Sequence, residues 1–190
     1  MQTIAERAGS LGRLVEQLLL GARAGADQLT VTSGAFDLAA LLRGAALAFQ
    51  PLSDRHTLTT DIPDGLPLAQ GDQTAADVIV GQLLENAFKY SPDGGAVTVR
   101  ARADGEWIEV IVDDEGIGIA PGDHERIFER FVQGETGDRR RFGGIGLGLY
   151  IVRQLARAQG GDVDASSLPR GTRMRLRLRA AVPGGQGEPG

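Results

Sequence analysis

Asn86 and Lys89 are the only asparagine and the only lysine in a chain of 190 residues, and they stand three positions apart. All the other basic side chains are arginine, so a composition that avoids both residue types elsewhere keeps both here. In the segment from Gln82 to Ser91, helical geometry puts Gln82, Asn86, Lys89 and Tyr90 on one face, opposite a stripe of Val80, Leu83, Leu84 and Ala87. An amide oxygen can ligate Mg²⁺, which needs few protein ligands. A lysine one turn on supplies a point charge for phosphate. A solvated polar face is the ordinary alternative, and the solitary Asn and Lys weaken it.

Two further segments suit the same kind of ligand. Asp113-Asp114-Glu115-Gly116-Ile117-Gly118-Ile119 follows an apolar strand. A carboxylate at a strand end can accept a hydrogen bond from an exocyclic amine, while glycines let the backbone pass close beneath a flat ring. Gly143-Gly144-Ile145-Gly146-Leu147-Gly148-Leu149 opens a helix, where backbone N–H groups can approach phosphate oxygens. It lacks the Gly-Lys-Ser/Thr ending of a P-loop and the spacing of the dinucleotide fingerprint, which disfavours both of those nucleotide folds.

The elements that must position these segments follow from periodicity and punctuation. Leu11, Leu14, Val15, Leu18 and Leu19 form one helical stripe that also suits a bundle seam. A second helix is expected from Asp37 to Phe49, ending near Pro51. Short strands are expected at Thr57–Ile62 and Leu66–Ala69 around the Pro63-Asp64-Gly65 turn, and Asp72 caps a helix reaching Tyr90. Ala96–Ala103 and Glu106–Asp113 read as a hairpin about Asp104-Gly105, with Val110 to Val112 apolar on both faces like a central strand. A short helix at Asp123–Arg130, a polar loop at Gln133–Arg141, a helix at Leu147–Gln159 and strands at Asp162–Ser166 and Thr172–Arg179 complete the pattern. In the last strand Arg173, Arg175, Arg177 and Arg179 alternate with Met174, Leu176 and Leu178, as a solvent face against a core face; a docking surface for an acidic partner is the sharper alternative.

The three segments, in this order, resemble the N, G1 and G2 boxes of the histidine-kinase catalytic ATP-binding (HATPase, GHKL-type) domain. Arg126-Ile127-Phe128-Glu129-Arg130-Phe131 resembles its F box, and Gly160-Gly161 with Gly171-Thr172 its closing strands. The resemblance implies an α/β two-layer sandwich: a mixed sheet covered on one face by helices. It implies ATP and Mg²⁺ as ligands, with Asn86 on the metal, Lys89 and Tyr90 facing phosphates and nucleotide, and Asp114 reading the adenine amine. Gly116, Gly118 and Ile119 would shape the pocket, with Phe131 and Leu147 at the nucleotide. Gly144, Gly146 and Gly148 would support the phosphates and hinge a lid over roughly 133–143. Arg139, Arg140 and Arg141 could supply the γ-phosphate cation, because Gln133 stands where an Arg often follows the F box.

Residues 1–30 are similar to the end of the second helix of the family's dimerisation bundle, 31–180 to the catalytic domain, and 181–190 read as a disordered Gly/Pro-rich tail. The phosphoacceptor His-acid-Pro segment is absent. His56, before a strand, and His124, near the F-box helix, are expected to be surface histidines. The chain should therefore bind ATP and depend on an acceptor histidine outside itself. The implied partners are a dimerisation domain of the same kinase, a response regulator and a second copy through the N-terminal helix. Gyrase-type, mismatch-repair and chaperone ATPases usually need a glutamate base where Gln82 stands. A serine kinase of anti-sigma type and a non-catalytic nucleotide sensor, the latter suggested by Ile145 and Gln133, are further alternatives. A net charge of −5 does not favour nucleic acid. No run approaches the length of a spanning helix and the N-terminus is not a signal peptide, so a cytoplasmic location is expected, free or as the inner part of an anchored receptor. Cysteine is absent, which excludes disulfides and thiolate metal sites.

Overall fold

The computed structural model describes residues 31–132 and 146–182. The helix expected at the N-terminus, the tail expected to be disordered, Gly144, Arg139–Arg141 and the lid expected at 133–143 fall outside the described residues.

Seven strands form one mixed sheet in the order β1-β3-β7-β5-β4-β2, with β6 also paired to β7. The strands are β1 Gly34–Phe36, β2 His56–Asp61, β3 Ala69–Gly71, β4 Gly95–Asp104, β5 Trp107–Asp114, β6 Asp162–Ser167 and β7 Thr172–Ala180. Among the described residues only the β2–β4 pair is parallel. Three helices, α1 Leu38–Phe49, α2 Gln73–Lys89 and α3 Gly148–Ala158, accompany it, with 3-10 turns at Gln50–Leu52 and Arg126–Phe128. This is the helix-covered mixed sheet that the sequence led us to expect.

Alternation decides the two faces. Val97, Val99, Val110, Val112, Leu176 and Leu178 point inward and are essentially inaccessible to water. They meet Leu38 and Leu42 of α1, Ile79, Val80, Leu83 and Leu84 of α2, and Ile151, Val152 and Leu155 of α3. Each fully buried aliphatic side chain contributes about 1.5–3 kcal/mol of transfer free energy. Asp37 caps α1 by accepting from Ala40 N at 2.8 Å, and Asp72 caps α2 by accepting from Thr74 N and Ala75 N at 2.8 and 3.0 Å. Asp72 also accepts from Thr32 N and Oγ1, and these bonds hold its carboxyl below the usual range.

The outer face is an ion-paired plate. Arg173 pairs with Asp113 at 2.8 Å, Arg175 with Asp164 at 2.9 Å, and Arg177 and Arg179 lie over the Trp107 ring. Glu109, only 3% exposed, takes Arg102 at 2.6 Å and lies within 3.7–3.8 Å of Arg175 and Arg177. The arginine alternation thus separates solvent face from core face, and its charges are committed within the sheet.

Four local expectations are corrected. β1, Gly34–Phe36, is not expected from sequence, because three residues carry no period of their own and are held by pairing with β3. The strand expected at Leu66–Ala69 begins only at Ala69, where pairing to β1 and β7 starts. The F-box helix is a single 3-10 turn, held by Phe128 packed into the core rather than by helical propensity. His56 is buried: Nε2 lies 2.8 Å from Ser91 O, Nδ1 2.7 Å from Ser53 Oγ, and the ring centroid 4.5 Å from that of Phe88. Its strand starts one residue earlier than expected and tucks the ring behind the end of α2. The neutral tautomer that donates from Nε2 and accepts at Nδ1 satisfies both contacts.

Candidate nucleotide-binding cleft

The end of α2, the turn after β5 and the start of β7 are stitched together around one carboxylate. Strand alternation turns Asp113 outward to Arg173 and its neighbour Asp114 inward, where it is 6% exposed. Asp114 Oδ1 accepts from Gly116 N at 2.8 Å and Thr172 N at 3.2 Å, and Oδ2 makes no hydrogen bond among the described residues. Burial pushes the Asp114 carboxyl up to about 6, against the pull of those two N–H groups and with a smaller push from Asp113.

The glycines of this turn are required by close approach. A Cβ on Gly116 would overlap the Tyr90 carbonyl oxygen and meet Ser91 Oγ at 2.7 Å and Asp114 Oδ1 at 2.8 Å. A Cβ on Gly171 would overlap the Asp114 carbonyl. Ile117 N donates to Tyr90 O at 3.0 Å, tying the turn to the end of α2.

Above Asp114 opens a cleft of about 630 Å³ that is partly open to solvent. Polar groups enter it from Asn86 of α2, Tyr90 just after that helix, Asp114 of β5 and Thr172 of β7. Its apolar lining includes Val112, Ile119, Ile127, Val132, Leu149 and Met174. A few convergent polar groups in an apolar slot is the usual form of a small-molecule site, and a flat heteroaromatic ring with an amine suits this one. Asn86 has its amide nitrogen buried with no hydrogen-bond partner. The assignment of amide O and N is interchangeable, so the residue carries an orphaned polar atom that a ligand or hydrated cation would satisfy.

Of the residues singled out from sequence, Asn86, Tyr90, Asp114, Gly118 and Ile119 line this one cleft, and Gly116 shapes its floor from behind. Lys89 lies beside it, its Nζ 5.2 Å from the Tyr90 ring centroid. Leu147 is buried in the core and Phe131 is 66% exposed; neither lines the cleft. Gly146 sits at the rim, where a Cβ would press on Phe131 and Val132 backbone at 2.8 Å. Gly148 opens α3 against the Gln82 amide, whose atoms a Cβ would meet at 2.9 Å. The reading from sequence did not select Val112, Ile127, Val132, Leu149, Thr172 or Met174 for the cleft. Only the Gly171-Thr172 pair carried a local signal; the others are apolar residues indistinguishable in sequence from core.

Residues 71–182 match the family of histidine kinase-, DNA gyrase B-, and HSP90-like ATPases. The chain belongs to this family. Among curated proteins it is similar to the sensor-like histidine kinase SenX3 of Mycobacterium tuberculosis, 43% identical over 124 residues, covering 65% of this chain and 30% of that protein. It is also similar to the alginate biosynthesis sensor protein KinB of Pseudomonas aeruginosa, 33% identical over 171 residues, covering 89% of this chain and 28% of that protein. Among solved structures, full-length ShkA in complex with AMPPNP aligns with a TM-score of 0.79 at 30% identity, over 93% of this chain and 38% of that one. The mycobacterial sensor histidine kinase MprB aligns with a TM-score of 0.66 at 27% identity, over 78% of this chain and 98% of that one. The relatives are thus sensor histidine kinases, and the chain is the histidine-kinase type of this ATPase domain. It spans about 30% of the length of the curated relatives that it matches. Among the described residues no helix is long and apolar enough to cross a membrane.

Proposed function

We propose that this chain is the ATP-binding part of a cytoplasmically placed sensor histidine kinase. In that role it presents the γ-phosphoryl of ATP to a histidine of a dimerisation domain, for relay to an aspartate of a response regulator. The observation that carries the reading is the convergence of Asn86, Tyr90, Asp114 and Thr172 on one apolar slot, with a buried carboxylate at its base. The AMPPNP bound by ShkA supports an adenine nucleotide as the occupant.

Asp114 Oδ2 accepts the exocyclic amine of adenine, while Oδ1 is kept in place by Gly116 and Thr172. Val112, Ile119 and Leu149 exclude water from the ring. The orphaned amide of Asn86 fits a hydrated Mg²⁺, which when bound neutralises phosphate charge. Lys89 adds a cation on the same helix face, and one of Arg139, Arg140 and Arg141 would supply a further cation for the γ-phosphate. In the transfer, the bond from γ-phosphorus to the β,γ-bridging oxygen breaks and a bond to an imidazole nitrogen forms. ADP leaves and the imidazole gives up its ring proton. His56 does not suit the acceptor role, since it is buried with both ring nitrogens engaged.

Titration with a fluorescent ATP analogue, with and without Mg²⁺, tests this. The wild-type chain should bind, Asp114→Ala should not, and Asn86→Ala should lose the Mg²⁺-dependent part of the affinity. No binding by the wild-type chain would defeat the proposal.

A further inference from the structure

The F-box segment and α3 are fastened to each other by two Arg–aromatic stacks that run in opposite directions. Arg130, from the F-box side, lies over the Tyr150 ring of α3 at 4.7 Å and donates to Tyr150 Oη at 2.7 Å. Arg153, from α3, lies over the Phe128 ring of the F-box turn at 4.8 Å and donates to Glu125 at 2.6 Å. Phe128 is buried and the Arg153 side chain is 14% exposed, so the second stack is largely withdrawn from water. These contacts flank the residues that face the cleft: Ile127 and Val132 on one side, Leu149 on the other.

The backbone just beyond the Arg130–Tyr150 stack is unusual. Phe131 has φ 62°, in the left-handed region that a bulky residue rarely enters. Its N–H donates to Gly146 O at 2.9 Å, and Gly146 itself has φ 72°. Such a conformation persists only where its surroundings impose it. The adjoining Arg130–Tyr150 stack, backed by the Arg153–Phe128 stack behind it, and the Phe131–Gly146 hydrogen bond supply that constraint.

We propose that Arg130–Tyr150 and Arg153–Phe128 form a reciprocal clasp that holds the Ile127–Val132 wall at a fixed distance from Leu149, making Arg130 and Arg153 positioning residues for nucleotide affinity and residence time. The inference rests on the nucleotide reading of the cleft. Neither arginine lines the cleft, and each acts through the wall that it holds.

The test uses the full chain and a fluorescent ATP analogue, with Kd and dissociation rate measured for Arg130→Met, Arg130→Lys, Tyr150→Phe and Arg153→Lys. Arg130 is at the surface, so Arg130→Met should leave the melting midpoint close to wild type while raising Kd about five- to tenfold, mostly through faster dissociation. Arg130→Lys, which keeps a cation over the ring, should recover part of this, and Tyr150→Phe should raise Kd about two- to threefold. Arg130→Met combined with Tyr150→Phe should cost no more than Arg130→Met alone, because that change already removes the bond to Tyr150 Oη. Hydrogen exchange at the Phe131 amide, read without nucleotide, should quicken in Arg130→Met. Unchanged Kd and unchanged exchange would overturn the clasp, as would affinity losses that merely follow the unfolded fraction. A wild-type chain that binds no nucleotide would overturn the nucleotide reading instead, and the exchange measurement would then decide alone whether the clasp holds the wall.

Discussion

Replacing Asp114 by Asn separates what this residue does for ligand from what it costs the fold. Burial raises the carboxyl from 3.8 to about 6, so ionising it in the folded state costs about 3 kcal/mol relative to the unfolded chain. A group raised in this way makes the folded state relatively more stable at low pH, and that advantage is lost as pH rises through about 6. The isosteric amide still offers Oδ1 to Gly116 N and Thr172 N, so the hydrogen bonds survive while the buried charge disappears. Near pH 8, Asp114→Asn should therefore be more stable than wild type by about 1–3 kcal/mol, the range reflecting how well the new N–H₂ is solvated in the cleft. Near pH 5 the wild-type carboxyl is mostly protonated when folded, and the advantage should shrink by about 1.4 kcal/mol. Urea unfolding of both proteins at the two pH values measures this directly. In the same protein nucleotide binding should be lost, since an amide N–H₂ faces the adenine amine donor to donor. An Asn variant less stable than wild type near pH 8, or a difference that does not narrow by pH 5, would refute the account of a charge held at a cost for recognition.

Nucleotide affinity of the wild-type chain should fall about tenfold per pH unit once pH drops below about 6, as the acceptor carboxylate is protonated, and a titration series in pH reads it. Gly116→Ala should abolish binding and cost about 1–3 kcal/mol in urea unfolding, because its Cβ has nowhere to go between Tyr90, Ser91 and Asp114. Gly81→Ala, in α2 with nothing within 4 Å of the new methyl, should instead stabilise by about 0.5–1 kcal/mol and leave binding intact. Glu109→Ala should cost about 1–3 kcal/mol, below the range for a fully buried pair because Arg102, Arg175 and Arg177 keep access to water.

Local signals sufficed for much of the fold. Asp72 is a helix cap because a short carboxylate before an apolar run can reach free N–H groups, and it appears as expected; Asp37, read only as the start of its helix, is a cap for the same reason. The β4–β5 turn falls at Gly105-Glu106, one residue later than the expected Asp104-Gly105, with Gly105 at the positive φ of 62° that marked it in the sequence. The period-two strand ending in Asp113 and Asp114 implies opposite faces for them, but which of the two enters the cleft depends on which sheet face the helices cover.

The sequence by itself determined the three long helices, the hairpin and Asn86, Tyr90 and Asp114 of the site, because caps, turns and periodicity act over a few residues and because Asn86, Lys89 and the Gly-rich turns are chemically distinctive. Only the tertiary structure decided the rest. It buried His56, placed β1 by pairing, set Phe131 in a left-handed conformation and Leu147 in the core, and sorted Ile127, Val132 and Leu149 from core into cleft wall. Those outcomes depend on which distant segment lies alongside, and an apolar residue has the same local character whether it faces a neighbour or an open slot.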